Sequence, residues 1–152
     1  MKIQNKNLAE IRKDIKDGIF ETLQAAQIID GPLYDLRTIH YGDRANISES
    51  QMPGLWVLPN THVPNLLGGH TAQHDFNFSF VAMVYEYNAG EGAEQAEDLA
   101  ARVYDVLISD RTLGRRVHDV RPTSYNPAES AGDSNSIFLC SFDMAFQIQR
   151  RE

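Results

Sequence analysis

The chain has 152 residues, 42% hydrophobic and 23% charged, the profile of one globular domain long enough to bury its own core. Its formal charge of −7 argues against general affinity for nucleic acid, which needs clustered Lys and Arg; the pairs Arg115-Arg116 and Arg150-Arg151 read as solvated surface. No run approaches the roughly 18–20 apolar residues of a membrane helix, residues 1–6 lack a signal-type apolar stretch, and the lone Cys140 excludes an internal disulfide or a multi-cysteine zinc site.

The first predicted element is an amphipathic helix over residues 7–26. Leu8, Ile11, Ile15, Ile19 and Leu23 recur at three- and four-residue steps, while Lys13, Asp14, Lys16 and Asp17 face elsewhere. Asn7 can cap it with Glu10 three residues on, and Gly31-Pro32 lies beyond its end. Two short strands follow, at 34–41 and at 55–58, the second bracketed by Pro53-Gly54 and Pro59-Asn60. Residues 59–75 read as a long Gly/Asn/His-rich loop with an apolar middle, Val63 to Leu67. Loops of that length in a compact domain are usually functional or disordered.

A third strand spans 76–88. Phe76, Phe78, Phe80, Ala82 and Val84 share one face, and Val81, Met83, Tyr85 and Tyr87 make the second face apolar as well. Such a strand is central in its sheet or covered by a neighbouring subunit. A turn at Asn88–Gly92 leads to a second helix, about 93–109, with acids at its start and Arg111, Arg115 and Arg116 beyond its end, matching the helix dipole. A strand at 117–124, a polar loop at 126–136 and a long alternating strand at 138–149 complete the chain. The order α-β-β-β-α-β-β predicts a single α+β domain, two helices packed on a mostly antiparallel or mixed sheet.

The search for chemistry returns little. His70 and His74 stand four apart with His62 upstream, a metal-like spacing, but in a Gly-Gly loop without a Glu after the first His; exposed loop histidines are expected, and no metal. Cys140 alternates with Phe138 and Phe142 and reads as an inert core thiol. Gly90-Glu91-Gly92 lacks the third glycine and the lysine of phosphate loops, and its acids would repel a phosphate. Trp56 reads as core. No catalytic residue and no cofactor are expected.

In arrangement the chain resembles the tail terminators and tail-completion proteins of tailed bacteriophages, including the gpU-like group of phage lambda. The likeness rests on the opening helix, the segment Pro53-Gly54-Leu55-Trp56-Val57-Leu58-Pro59, and the long strand turning through Gly into an Ala-rich helix. That helix ends in Val106-Leu107-Ile108-Ser109-Asp110-Arg111-Thr112-Leu113; Val117-His118-Asp119-Val120 and the alternating last strand follow. The resemblance implies a non-enzymatic virion protein, made in the host cytoplasm and placed at the head–tail junction. It implies a homo-hexameric ring that ends the tail tube, contacting the tube protein and the connector or neck proteins, with DNA crossing only its lumen, no membrane, and no sequence-specific nucleic-acid binding. Candidate subunit or tube contacts are Val81, Met83, Tyr85 and Tyr87 on the second apolar face, and His62, Val63, Leu66, Leu67 and His70 in the loop. The alternatives are a head-completion or sheath-terminator protein, a small metal-dependent enzyme built on His62, His70 and His74, and a host-encoded binding module.

Overall fold

A computed structural model describes residues 6–42, 47–131 and 136–152. Helix α1 spans Leu8–Ala26, and Asn7 caps it, its side-chain oxygen accepting from the Glu10 N–H at 2.9 Å. Strand β1 (Thr38–Tyr41) is shorter than expected. Residues 34–35 lie in a turn that exposes Tyr34, and the chain then enters the sheet edge beside Pro53, whose carbonyl accepts from the Arg37 N–H.

The main departure from the sequence reading lies between residues 59 and 75. Strand β2 runs Gly54–Gly68 and β3 runs Thr71–Tyr85, joined by a tight turn at Gly69-His70, so the expected loop is the outer half of a long β-hairpin. Gly68 and Gly69 have φ of +116° and +60°, the region that glycine enters without steric cost. Pro59 and Pro64, which argue against a strand in the sequence, are tolerated because β2 is an edge there. Beyond Val57 no strand among the described residues pairs with its outer side.

Helix α2 spans Ala89–Ile108 and starts four residues earlier than the glycines suggest, capped by Asn88. Gly92 therefore lies inside the helix and not in a turn. A Cβ there would come within 2.3 Å of the Phe138 ring, so glycine allows α2 to approach the sheet. Strands β4 (Asp119–Tyr125), β5 (Glu129–Ser130) and β6 (Ile137–Arg151) complete the fold. The short β5 falls in the stretch read as loop.

The sheet order is β1-β2-β3-β6-β4, with β5 also on β6; the β1–β2 pair is parallel and the others antiparallel. This is the α+β class expected, with one mixed pair. Both helices cover one face. Ile11, Ile15, Ile19 and Leu23 of α1 and Ala96, Leu99, Val103 and Leu107 of α2 pack on Phe76, Phe78, Phe80, Phe142 and Phe146, all buried. Phe80 and Phe142 stack at 5.0 Å, and Phe78 meets Phe146 edge-on at 5.5 Å. Cys140 lies in this core as a free, buried cysteine.

Candidate interaction surfaces

The second apolar face of β3 resolves into a small core of its own. Val81 and Met83 pack with Met52 and Trp56, and Ile47, Leu58, Tyr85, Ile137 and Leu139 complete the cluster. The chain covers this face itself, by folding the segment around Met52 back onto it. Val81 and Met83 are buried within the subunit, which leaves Tyr85 and Tyr87 as the outward part of that candidate set. The two rings meet edge-on at 5.3 Å, and Tyr87 is 79% exposed. The hydrogen bond to Tyr87 and then slight burial and nearby Glu49 raise the Tyr85 phenol to about 12. Trp56 is core, as read, and His40 stacks on it at 4.7 Å.

The hairpin arm carries the other candidates, and the structure separates them by face. At the tip, Val63, Leu66 and Leu67 are solvent-exposed, and nothing lies within 4 Å of where a Cβ would stand on Gly68 or Gly69. His70 sits exposed in the turn. His62 and His74 come together instead, on the helix-covered face, where His74 is only 2% exposed. Exposed loop histidines were expected; His74 departs from that because it belongs to β3 and points inward with Phe76 and Phe78.

These two histidines form a chain of hydrogen bonds. His74 Nε2 lies 2.5 Å from Glu152 Oε1 and His74 Nδ1 lies 2.7 Å from His62 Nε2, so both ring nitrogens have hydrogen-bond partners. His62 stacks on Phe76 at 4.2 Å, and the Arg12 guanidinium lies over the same ring at 5.6 Å. Burial first, then the positive charge of His74, Arg12 and Arg150, lowers the His62 pKa from the ordinary histidine value. The Glu152 carboxyl is held below the usual range by its bond to His74 and then by Arg150. Glu152 is the partner that sequence spacing does not reveal, since it is 78 residues from His74 and meets it only through the β3–β6 register. Among the described residues no group of three or more His, Cys, Asp and Glu is arranged to hold a metal, and His70 stands apart from the pair.

One arginine of each basic pair is held by an acidic partner. Arg116 bonds Glu21 at 2.7 Å, and Arg150 bonds Glu152 and the Lys6 carbonyl. Arg111 makes a two-pronged pair with Asp119 at 2.8 and 3.1 Å, which lowers the Asp119 pKa.

At the opposite sheet edge, α2 and β4 enclose an open groove of about 370 Å³, lined by Ala101, Tyr104, Asp105, Pro122, Thr123 and Tyr125. Tyr104, Tyr125 and Phe142 form its aromatic wall, with Tyr125 parallel to Phe142 at 5.7 Å. Burial first, then the neighbouring Cys140, Glu97 and Asp105, pushes the Tyr125 phenol up to about 12. Burial likewise raises the Cys140 thiol, which donates to the Asn126 carbonyl. The groove has no sequence signature, because β4 reads as an ordinary polar edge strand. Ile28, Ile29 and Tyr34, beyond the end of α1, are further exposed apolar side chains.

What the fold and these surfaces define is an α+β chain with an apolar arm at one sheet edge and an apolar groove at the other. No protein-family profile matches the chain, and no curated protein matches it in sequence. Among solved structures it is similar to a chain of the virion of a native gene transfer agent particle. That likeness has a TM-score of 0.51 and 14% identity, over 86% of this chain and 91% of the other. At that identity the shared property is the fold.

Proposed function

We propose that this protein is a structural component of a tailed-phage-like virion, a terminator-type subunit that closes the head-proximal end of the tail tube as a homo-hexameric ring. The observation that carries the virion reading is the shared fold with a chain of a gene transfer agent virion over nearly the full length of both chains. The position at the tail end rests on the sequence resemblance to tail terminators. The surfaces are consistent with assembly and not with turnover. The relay of titratable groups His62–His74–Glu152 is packed on the helix-covered side of the arm, with its central histidine out of solvent.

On this reading the mechanism is geometric. One face of the ring matches the last ring of the tube, and the other does not match a further tube subunit, so growth stops and the connector finds a docking surface. A ring requires heterologous contacts that close under cyclic symmetry. The arm tip (Val63, Leu66, Leu67, His70) and the exposed Tyr87 with Tyr85 are the contact surfaces proposed, toward ring neighbours or the tube. His62 supports the arm, and Val81 and Met83 support Tyr85 from below.

Alanine at Tyr87 tests the second surface. The substitution leaves stability within about 0.5 kcal/mol, as expected for an exposed side chain away from the core, while assembly on tube ends is lost. Full assembly by a folded Tyr87→Ala protein removes Tyr87 from the interface.

A further inference from the structure

We infer that neighbouring copies of this chain join head-to-tail by seating the hairpin tip of one copy, Leu66 and Leu67, in the α2–β4 groove of the next. This rests on the ring reading above and names the contact that would build it. Three observations carry it. The tip is an apolar knob at the unpaired outer edge of β2, with Leu66 78% and Leu67 51% exposed, and the groove is an open, mostly apolar cleft on the opposite edge of the same sheet. A knob and a socket on opposite edges of one chain make a heterologous contact, the kind that closes into rings.

The second observation concerns what the edges cannot do. Two exposed sheet edges would ordinarily invite direct strand pairing between copies. Here Pro59 and Pro64 on the outer half of β2, and Pro122 on β4, remove N–H donors from the strands that would have to pair. Sheet fusion is blunted at both edges, which leaves side-chain docking as the way to join them.

The third is charge. The β6 end that flanks the tip places Arg151 opposite Thr71, and His70 lies in the turn itself. The groove carries exposed Asp105 in its wall, and exposed Glu97 of α2 also acts on Tyr125 of that wall. With Glu152 beside the turn held by Arg150 and His74, Arg151 adds a positive charge at the knob, which meets the Asp105 and Glu97 carboxylates at the socket and favours tip-to-groove over tip-to-tip pairing.

The test is disulfide trapping with full-length protein. Leu67→Cys and Thr123→Cys single variants are mixed, oxidised and run without reductant, with wild-type protein, whose only cysteine is the buried Cys140, as control. Wild-type samples are imaged in parallel, alone and with tail tubes. The expected result is a heterodimer in the mixture, a ladder from the double variant, and no band from either single variant. Leu66→Asp with Leu67→Asp, at exposed tip positions that leave the fold intact by circular dichroism, should weaken self-association by roughly tenfold or more per leucine. Wild-type rings or tube caps without a Leu67–Thr123 cross-link would overturn this contact and leave the ring reading standing. A Leu67–Leu67 bond, or trapping of Leu67→Cys by Ile29→Cys in place of Thr123→Cys, overturns it in favour of a two-fold contact or the exposed residues beyond α1. A specific heterodimer without rings or caps upholds the contact and counts against the ring.

Discussion

His74 enters β3 with its ring on the helix-covered face, where an unpaired imidazole would be costly to bury. Glu152, just past the end of β6, and His62 from β2 meet its two nitrogens, so one chain of side chains ties the two strands of the arm to the end of β6. That arrangement has a pH signature. In the unfolded chain His62 takes up a proton near the ordinary histidine value of about 6.5, whereas the folded chain holds its pKa lower. Between the two values the unfolded state binds more protons, so stability falls as pH drops below about 6.5. Glu152, whose folded pKa is lowered, adds a contribution present above the unfolded value and lost as pH falls through the lower folded value. Urea midpoints measured from pH 7.5 to 5 should decline for the wild type, and His62→Asn should flatten that decline. An equal slope in the variant would mean that His62 does not carry it. Arg102 is the second residue whose removal has a definite cost. It bonds both Asp35 oxygens at 2.7 and 3.0 Å, the Asp98 carboxylate and the Pro32 carbonyl, tying α2 to the turn after α1. Being partly exposed, it should cost only about 1 kcal/mol on replacement by alanine, read from urea unfolding.

The two helices and the long strands β3 and β6 are legible from periodicity, because each buries one complete face and repeats its apolar residues at 3.6 or 2 along the chain. Asn7 caps α1 as its position before Leu8 suggests. Three features escape that reading, each for a physical reason. The outer half of β2 is an edge with little to bury, so its alternation is mixed and its prolines are harmless where a central strand would reject them. The start of α2 is hidden because Gly90 and Gly92 suggest a turn, whereas Gly92 serves a close approach to Phe138. The second apolar face of β3 goes with the central place its sequence suggests, but the sequence does not reveal that part of its cover comes from Met52 and Ile47 of the same chain. The two glycines make a matched pair of predictions. Gly90→Ala meets nothing closer than 3.5 Å and should stabilise α2 by up to about 1 kcal/mol. Gly92→Ala drives a methyl into the Phe138 ring and should cost roughly 1–3 kcal/mol, measured by thermal or urea unfolding. Equal effects at the two sites would contradict the packing described.

The candidate surfaces are less legible than the fold, because they depend on which strands become edges. The residues of the knob stand together in the sequence at Val63–Leu67, but the groove draws Tyr104 from α2 and Tyr125 from β4, which only the sheet order brings together. At the scale of the whole molecule the chain is polar in the sense an assembling subunit needs, with unlike surfaces at its two sheet edges. Proline at each edge resists open-ended sheet growth, and net charge −7 opposes unspecific clustering. Self-association through such a contact should depend on salt and on concentration, since its polar surround is exposed and screened within about a Debye length. Sedimentation velocity at low and high ionic strength should show larger species at low salt; an unchanged distribution would remove charge steering from the account.

The most direct test of the central claim is negative-stain imaging of the purified protein, from dilute to concentrated, alone and mixed with matching tail tubes. The account predicts closed rings with a central hole, or single caps at one end of the tubes, with tube growth halted there. A protein that stays monomeric at every concentration and leaves tube ends bare and growing would contradict it.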